Sequence, residues 1–151
     1  ERRLFQKNAV FVTFYAEESA LLFQGLHSVA DRRSRRGFVF APLTGDGRDT
    51  ALINVAHELL HLFGATDKYE GEQCVFPVGW VEPLKEPRLP QRFAEVMAQG
   101  IPVEEGRKEA SLDLFEDMRV GVQTALEIGW IDQARRDRYY AGDVGAGPRL
   151  D

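Results

Sequence analysis

The sequence predicts a small α/β (α+β) fold in which a sheet packs on one long helix. Ala9–Tyr15 and Gly37–Ala41 are short apolar segments rich in β-branched and aromatic residues, as is typical of buried strands. Thr50–Phe63 contains neither Gly nor Pro, which favours a helix. Ser111–Gly129 carries apolar residues at helical spacing, and we expect this second helix to close the far side of the sheet.

Length and composition indicate a single packed domain. The 151 residues are 44% hydrophobic, enough for an ordinary core, and we find no internal repeat or domain boundary. The net charge of -5 gives no indication of nucleic-acid binding. No apolar stretch approaches the roughly 18 to 20 residues that a membrane span requires. We therefore expect no nucleic acid partner and no transmembrane segment in this fragment.

The compartment and the oligomeric state are left unassigned. The first residues, Glu1–Leu4, lack the apolar core of a secretory signal. The chain does not begin with Met, as expected of a mature or excised piece of a longer protein, whose leader or membrane anchor would be missing. The single Cys74 cannot form an internal disulfide and on its own favours a reducing, cytoplasmic compartment.

The first half of the chain supplies the predicted sheet. Ala9–Tyr15 is almost continuously apolar, so we predict a central strand covered on both faces. Leucines and other apolar residues at near-helical spacing within 17–30 favour a short helix or a loop over a strand. Gly37–Ala41 forms the second strand, which Pro42 and the turn-rich residues 44–47 bring to an end.

The helix Thr50–Phe63 follows this turn, with Asp49 positioned to cap its exposed amides and Gly64 to end it. One stripe, at spacings of four, three and four, is polar and is expected to face a cleft: Thr50, Asn54, His57 and His61. The remaining faces are apolar and are expected to pack: Leu52, Val55, Ala56, Leu59, Leu60 and Phe63.

The second half is less regular. Five of the seven prolines fall between residues 77 and 102, which predicts a long, ordered and largely non-helical segment. The helix Ser111–Gly129 is expected to bury one face: Phe115, Met118, Val122, Ala125 and Leu126. The tail Ala141–Asp151 is Gly-rich and is predicted to be flexible.

The run His57-Glu58-Leu59-Leu60-His61 lies inside the predicted helix and indicates a metal site. Residues four apart share one helix face, with β-carbons about 6 Å apart, so the two imidazoles can converge on one zinc. Glu58 lies one step round the helix, where its carboxylate can take a proton from a zinc-bound water and return it to a leaving amine.

A catalytic zinc needs a third protein ligand, and Asp67 is our candidate. Gly64 can adopt the left-handed conformation that ends the helix and turns the following residues back towards the metal. Asp67, six residues after His61, then comes within reach. Two histidines and one carboxylate leave a fourth position for water, as in hydrolytic rather than structural zinc sites.

The pattern HExxHxxGxxD from His57 to Asp67 resembles the signature of metzincin metallopeptidases, with Asp as third ligand as in the small bacterial snapalysin-type zinc endopeptidases. Asp67-Lys68-Tyr69 is similar to the Asp-x-Tyr that follows in those enzymes, and Glu95-Val96-Met97-Ala98 is similar to their Met-turn. The resemblance covers about a third of the chain.

The resemblance implies a metzincin (zincin-like) fold, with a small twisted sheet on the active-site helix and an edge strand that holds substrate. It also implies one zinc ion per chain, bound by His57, His61 and Asp67. Glu58 would be the general base, and Met97 the hydrophobic floor beneath the metal.

Other interpretations of single residues stay open. Tyr69 can stabilise an oxyanion through its hydroxyl or pack at the helix exit. His27 is an alternative third ligand without a spacing argument. Cys74 can ligate zinc and block the site in a latent form, or be a plain loop thiol. Met97 can be an ordinary core residue.

Two further groups have a possible binding role. A cluster of four arginines is interpreted as a solvated loop or as a contact for an acidic partner: Arg32, Arg33, Arg35 and Arg36. Three aromatic residues are candidates to line a specificity pocket beside the metal: Phe76, Trp80 and Phe93.

The function expected from these residues is that of a zinc-dependent endopeptidase acting on a peptide or protein substrate. One alternative is a partner-binding or regulatory module that keeps zinc for structure and recognises its partner through the Pro-rich segment. Glu58 argues against that alternative, because a structural zinc site usually has four protein ligands and needs no adjacent carboxylate. A second alternative is a zinc hydrolase of a non-peptide amide.

Overall fold

The computed structural model describes residues 7–16, 27–43, 47–109 and 117–148. The strands there are β1 (Ala9–Tyr15), β2 (Val29–Asp31), β3 (Arg36–Pro42), β4 (Tyr69–Glu70), β5 (Gln73–Cys74), β6 (Ala94–Glu95), β7 (Ile101–Glu104), β8 (Arg107–Glu109) and β9 (Met118–Arg119). The helices are α1 (Gly47–Phe63), α2 (Val122–Glu127), α3 (Gln133–Tyr140) and a 3-10 turn at Val144–Ala146. The protein therefore has a small mixed α+β fold, which confirms the sequence-based fold class in outline.

The chain divides into two compact units, Glu1–Gly64 and Ala65–Asp151. The first contains a three-stranded sheet and α1, and the second contains three two-stranded sheets, α2 and α3. None of the described helices is long and apolar enough to cross a membrane.

The sheet of the first unit has the order β1-β3-β2, with β1 parallel and β2 antiparallel to β3. The predicted bounds of β1 are confirmed, and β3 extends the second predicted strand by one residue at each end. The prediction that Ala9–Tyr15 is central is wrong, since β3 is the central strand among the described residues. Most β1 side chains are exposed, because a continuous apolar run does not by itself distinguish an edge strand from a central one.

Small inward-facing side chains explain why β3 lies against the helix. Gly37, Val39 and Ala41 are all buried, and α1 packs mainly on this strand. A β-carbon at Gly37 would lie 3.4 Å from the β-carbon of Glu58 and 3.3 Å from a methyl group of Val10. The absent side chain thus gives α1 room to approach the sheet closely.

Three predictions for the first unit need correction. Val29–Asp31 is a strand rather than part of a helix or loop, whereas residues 17–26 lie outside the described residues. The helix begins at Gly47, so Asp49 is not its cap but lies in its first turn. There the negative charge of Asp49 still interacts favourably with the helix dipole. Leu52 and Phe63 are about half exposed, at 50% and 54%, rather than packed.

The Pro-rich part of the second unit is largely non-helical, as predicted, and forms short strand pairs. β4 pairs with β5 and β7 with β8, both antiparallel, while β6 runs parallel to β9. The helix predicted for Ser111–Gly129 is wrong at residues 118–121, where the chain forms β9 and two non-helical residues before α2 begins. Residues 110–116, including Phe115, lie outside the described residues.

Gly121 marks this change from strand to helix, because a β-carbon there would lie 2.9 Å from Cγ of Glu95. The spacing of the apolar residues from Met118 to Leu126 thus fits one helix face but also fits a strand followed by a short helix. The helix does end as predicted, with Gly129 at φ +80°.

A small core holds the end of the second unit together: Val122, Ala125, Ile131, Tyr139 and Ala146. α3 was not predicted from the sequence; it begins with the Asp132 side chain accepting a 2.7 Å hydrogen bond from the Arg135 amide. The Arg135 guanidinium donates to the carbonyl oxygens of Ala146 and Gly147 at 2.7 and 2.8 Å. The tail predicted to be flexible therefore contains a hydrogen-bonded turn, and residues 149–151 lie outside the described residues.

Candidate metal centre

His57 and His61 lie one helical turn apart on α1, with their rings converging. Their Nε2 atoms are 3.0 Å apart, and the rings meet edge to face at 4.6 Å between centroids. His57 is 3% exposed, and His61 is partly buried. The regular helix spacing is sufficient to bring these two nitrogens together.

The chain leaves the helix at Gly64. Its amide donates 3.0 Å hydrogen bonds to the carbonyl oxygens of both Leu60 and His61, which closes the last turn. Its φ of +116° is a conformation that side chains with a β-carbon rarely adopt. Gly64 thus ends the helix and redirects the segment that carries Asp67, as the sequence predicts.

Asp67 joins the two histidines in one group. One ligand atom from each of His57, His61 and Asp67 lies within 4.8 Å of the other two. Among the described residues, these three side chains form the group of His, Cys, Asp or Glu that could hold a metal ion. The arrangement is compatible with a metal ion and does not identify which one.

The donor set and the nitrogen separation can be compared with what zinc requires. Zn–N bonds of about 2.0 to 2.1 Å in a tetrahedron place two ligand nitrogens roughly 3.3 Å apart. The observed Nε2 separation of 3.0 Å is close to that value. Two imidazoles with one carboxylate also form a recurrent donor set of catalytic zinc sites. The residues present therefore fit zinc.

Glu58 lies next to His57 on α1 and is 4% exposed. It does not belong to the metal-binding group, although it lies between the two histidines in the sequence. A buried carboxylate is costly in free energy unless its surroundings compensate its charge, so such a residue often has a functional role. Its predicted role as a base beside the ligands stays a prediction.

Met97 lies in a tight turn that is bonded to the residue following Asp67. Met97 is fully buried, and its carbonyl oxygen accepts a 2.9 Å hydrogen bond from the Lys68 amide. The amide of Ala98 bonds to the carbonyl of Glu95 at 2.9 Å, which closes the turn. The segment that resembles a Met-turn is thus a turn in the structure, and its position beneath a metal stays a prediction.

The Glu95 carboxylate holds this turn to α2. It accepts hydrogen bonds from the Met97 amide at 2.6 Å, the Gly121 amide at 3.0 Å and the Thr124 hydroxyl at 2.7 Å. Burial raises the pKa of Glu95 above its usual value of 4.5, although these donors and the charge of Lys68 act in the opposite direction.

Cys74 and His27 are not part of the metal-binding group. Burial raises the pKa of the Cys74 thiol to about 11, so the thiol stays protonated at neutral pH and is a poor zinc ligand. Its Sγ atom lies 3.6 Å from the Gly100 carbonyl oxygen, which favours the interpretation as a loop thiol. His27 is exposed.

Tyr69 begins β4 two residues after Asp67 and is partly buried. The Lys108 ammonium lies 4.6 Å from the centre of its ring, a cation–π contact that fixes the ring face. Both predicted roles of Tyr69, oxyanion stabilisation and packing, stay open.

Two of the three candidate pocket aromatics line one cavity of the second unit. Phe76 and Trp80 meet edge to face at 5.0 Å on the wall of a cavity of about 540 Å³. Phe93 instead contacts the guanidinium groups of Arg92 and Arg119, at 4.9 and 4.3 Å from its ring centre, and lines a smaller cavity. The role of any of the three in a specificity pocket beside the metal stays a prediction.

The arginine cluster forms the turn between β2 and β3. Arg32, Arg33 and Arg36 are exposed, and the Asp31 carboxylate organises the turn by accepting hydrogen bonds from the amides of Arg33 and Ser34. Both predicted roles of the cluster, a solvated loop and a contact for an acidic partner, stay predictions.

The sequence did not reveal a role for two charged residues near Asp67, Lys68 and Glu127. They form an ion pair of 2.7 Å, with only 2% of Lys68 exposed. Lys68 lies within the segment Asp67-Lys68-Tyr69 that the sequence singled out, but no local pattern connects it to a partner so far along the chain.

In comparisons with known proteins, no family model, no curated protein and no solved structure matches this chain.

Proposed function

We propose that this chain is a zinc-dependent endopeptidase, with zinc bound by His57, His61 and Asp67. The observation that carries the proposal is the convergence of these three side chains, with ligand atoms within 4.8 Å of one another. Zinc held there would supply a Lewis acid for the scissile carbonyl and for an attacking water.

The chain's own residues would divide the remaining work. The buried Glu58 would act as the general base, accepting a proton from the attacking water and delivering it to the leaving amine. His57 and His61 would be held by α1, so that their nitrogens need little rearrangement to bind the metal. Three protein ligands leave a position for substrate or water, which favours hydrolysis over a structural role.

The test combines metal content with proteolysis. Zinc bound to the purified chain would be counted, and cleavage of an unstructured protein such as casein would be measured with and without a chelator. We expect one zinc per chain and chelator-sensitive cleavage. Glu58→Gln should retain the zinc and lower the cleavage rate by a factor on the order of a hundred or more, because an amide cannot accept the proton.

Glu72→Gln is the matched control, since it makes the same chemical change at an exposed turn between β4 and β5 and should cleave like the parent. Equal rates for Glu58→Gln and the parent would show that Glu58 is not the base. Zinc binding without cleavage of any peptide in a broad set would favour the partner-binding alternative. Cleavage of simple amides alone would favour the non-peptide hydrolase.

A further inference from the structure

We propose that Lys68 and Glu127 are positioning residues for Asp67: their partly buried ion pair fixes the chain on both sides of Asp67 and keeps the Lys68 ammonium from competing with a metal for its carboxylate. This inference rests on the metal site of the proposed function. It does not depend on the reaction that the site catalyses.

The Lys68 ammonium has three N–H donors, and the structure supplies three acceptors. Its Nζ atom lies 2.7 Å from each of three oxygens, the Thr66 carbonyl, the Thr66 hydroxyl and Oε2 of Glu127. All three protons are thus used within the second unit, and none is left for the carboxylate of Asp67.

Glu127 is itself anchored at the end of α2. Its Oε2 atom also accepts a 2.8 Å hydrogen bond from the Thr66 amide, and its Oε1 atom accepts one of 3.1 Å from the Gln123 side chain. Desolvation opposes ionisation of this carboxylate, but the hydrogen bonds from Lys68, Gln123 and Thr66 outweigh it and lower the pKa of Glu127. Glu127 is therefore a carboxylate at neutral pH and a permanent partner for the ammonium.

The backbone around Asp67 is fixed on both sides. The Thr66 amide bonds to Glu127, the Lys68 amide bonds to the Met97 carbonyl at 2.9 Å, and the Lys68 carbonyl accepts from Val75 at 2.8 Å. Lys68 is 2% exposed, whereas Asp67 is exposed. The bonded neighbours thus present Asp67 outward at a defined place.

Loss of the Glu127 charge would act on Asp67 in two ways. The segment would lose the charge-assisted bonds at Thr66, and the ammonium would be held less firmly one residue from the metal ligand. A carboxylate that pairs with an ammonium is a weaker metal ligand, because the two cations compete for the same oxygens. Groups that hold metal ligands in place typically account for 10- to 100-fold in metal affinity.

The experiment measures zinc affinity of the full chain by competition with a chromophoric chelator, the absorption spectrum of the Co²⁺ form, and thermal unfolding of the metal-free protein. We expect Glu127→Gln to bind zinc about 10- to 100-fold more weakly and to change the Co²⁺ spectrum. Thr66→Val removes the hydroxyl that accepts from Lys68 and should weaken zinc binding several-fold. Thr66→Ser keeps a hydroxyl and should bind zinc like the parent.

Arg135→Gln is the matched control for a purely structural effect. It removes hydrogen bonds of similar length from the same unit, between α3 and the 3-10 turn, without touching Thr66 or Lys68. We expect it to lower the unfolding temperature and to leave zinc affinity unchanged. Zinc affinity of Glu127→Gln equal to the parent's, or an equal loss in Arg135→Gln, would overturn the proposal.

The outcomes also separate this inference from the proposed function. A chain that binds zinc, weakens on Glu127→Gln and cleaves no peptide would support the positioning role and contradict the endopeptidase. A peptidase whose zinc affinity is insensitive to both Glu127→Gln and Thr66→Val would do the reverse. If Glu127→Gln does not fold, the pair Thr66→Val and Thr66→Ser decides.

Discussion

The two parts of the candidate metal centre are built in different ways. His57 and His61 are brought together by their spacing of four residues on a single helix, and their Nε2 atoms lie 3.0 Å apart. Asp67 follows a helix break, and its neighbours are held by Met97 and Glu127, which lie far along the chain. Local geometry thus defines the histidine pair, whereas long-range hydrogen bonds define the place of the carboxylate.

This difference indicates which ligand positions depend on few other residues and which depend on many. A helix keeps its spacing as long as it is folded, so the histidine pair depends on few other residues. The Asp67 segment depends on a set of contacts that can each be altered without removing a ligand. Variants on the two sides should therefore differ in size of effect and in what restores function.

The largest effect is expected on the helix side, from His61→Ala. If the roughly 10 to 16 kcal/mol of a zinc site is divided among its ligands, each contributes about 3 kcal/mol or more, which is on the order of a hundredfold to a thousandfold in affinity. Zinc binding and cleavage should be lost together, while the far-ultraviolet circular dichroism of the metal-free protein stays unchanged. Asn54→Ala, on the same stripe, is the control and should behave like the parent.

A smaller loss is expected on the loop side, from Asp67→Ala. Asp67 is exposed, so a water molecule can take the vacated position more easily than at the partly buried His61. Asp67→His should keep zinc bound even if cleavage slows, because imidazole is also a good zinc ligand. Zinc affinity from chelator competition is the measurement. A greater loss from His27→Ala than from Asp67→Ala would contradict the assignment of the third ligand.

A moderate effect on stability is expected from Glu95→Gln, which tests the contacts behind the loop. The amide group would place an NH2 donor where one of the two carboxylate oxygens accepts, opposite Met97 or opposite Gly121 and Thr124, at a cost of about 1 to 3 kcal/mol in the free energy of unfolding. Urea unfolding of the metal-free protein would measure it, with Gln99→Glu as an exposed control.

The raised pKa of Glu95 adds a pH dependence to that comparison. A carboxyl group whose pKa is higher in the folded than in the unfolded state stabilises the fold below pH 4.5 and loses this contribution as the pH rises through the folded pKa. The stability difference between the parent and Glu95→Gln should therefore be larger at pH 4.5 than at pH 7.5. The opposite trend would mean that the three donors outweigh burial and lower the pKa.

The smallest effect is expected from Cys74→Ser. Burial raises the pKa of this thiol to about 11, so it should neither bind zinc nor react readily at neutral pH. Zinc affinity and cleavage should match the parent, and the rate at which the parent's thiol reacts with a thiol reagent should rise with pH from neutral and level off only near pH 11. A twofold or greater change in zinc affinity would restore Cys74 as a candidate ligand.

The sequence predicted those features that depend on local geometry. The bounds of β1, the helix around His57 and the break at Gly64 follow from side-chain composition and from the conformational freedom of glycine. The short spacing after Gly64 also predicted that Asp67 comes within reach of the histidines, and the structure brings these three residues together.

Features that depend on distant partners were missed. The order of the strands places β3 rather than β1 at the centre, because Gly37 and its small neighbours admit the helix and composition alone does not reveal this. Met118 fits a helical stripe in the sequence but pairs with Ala94 in a strand. Lys68 and Glu127 meet only when the second unit is folded, so no local pattern predicts their pair.

The separation of 59 residues between Lys68 and Glu127 also has a consequence for the order of folding. A helix such as α1 forms on a timescale of about a microsecond, whereas contacts between distant segments wait for loop closure. The histidine pair can therefore exist before the carboxylate is in place. A metal ion present during refolding would meet a two-nitrogen site first, and the third ligand would join it only as the later contacts form.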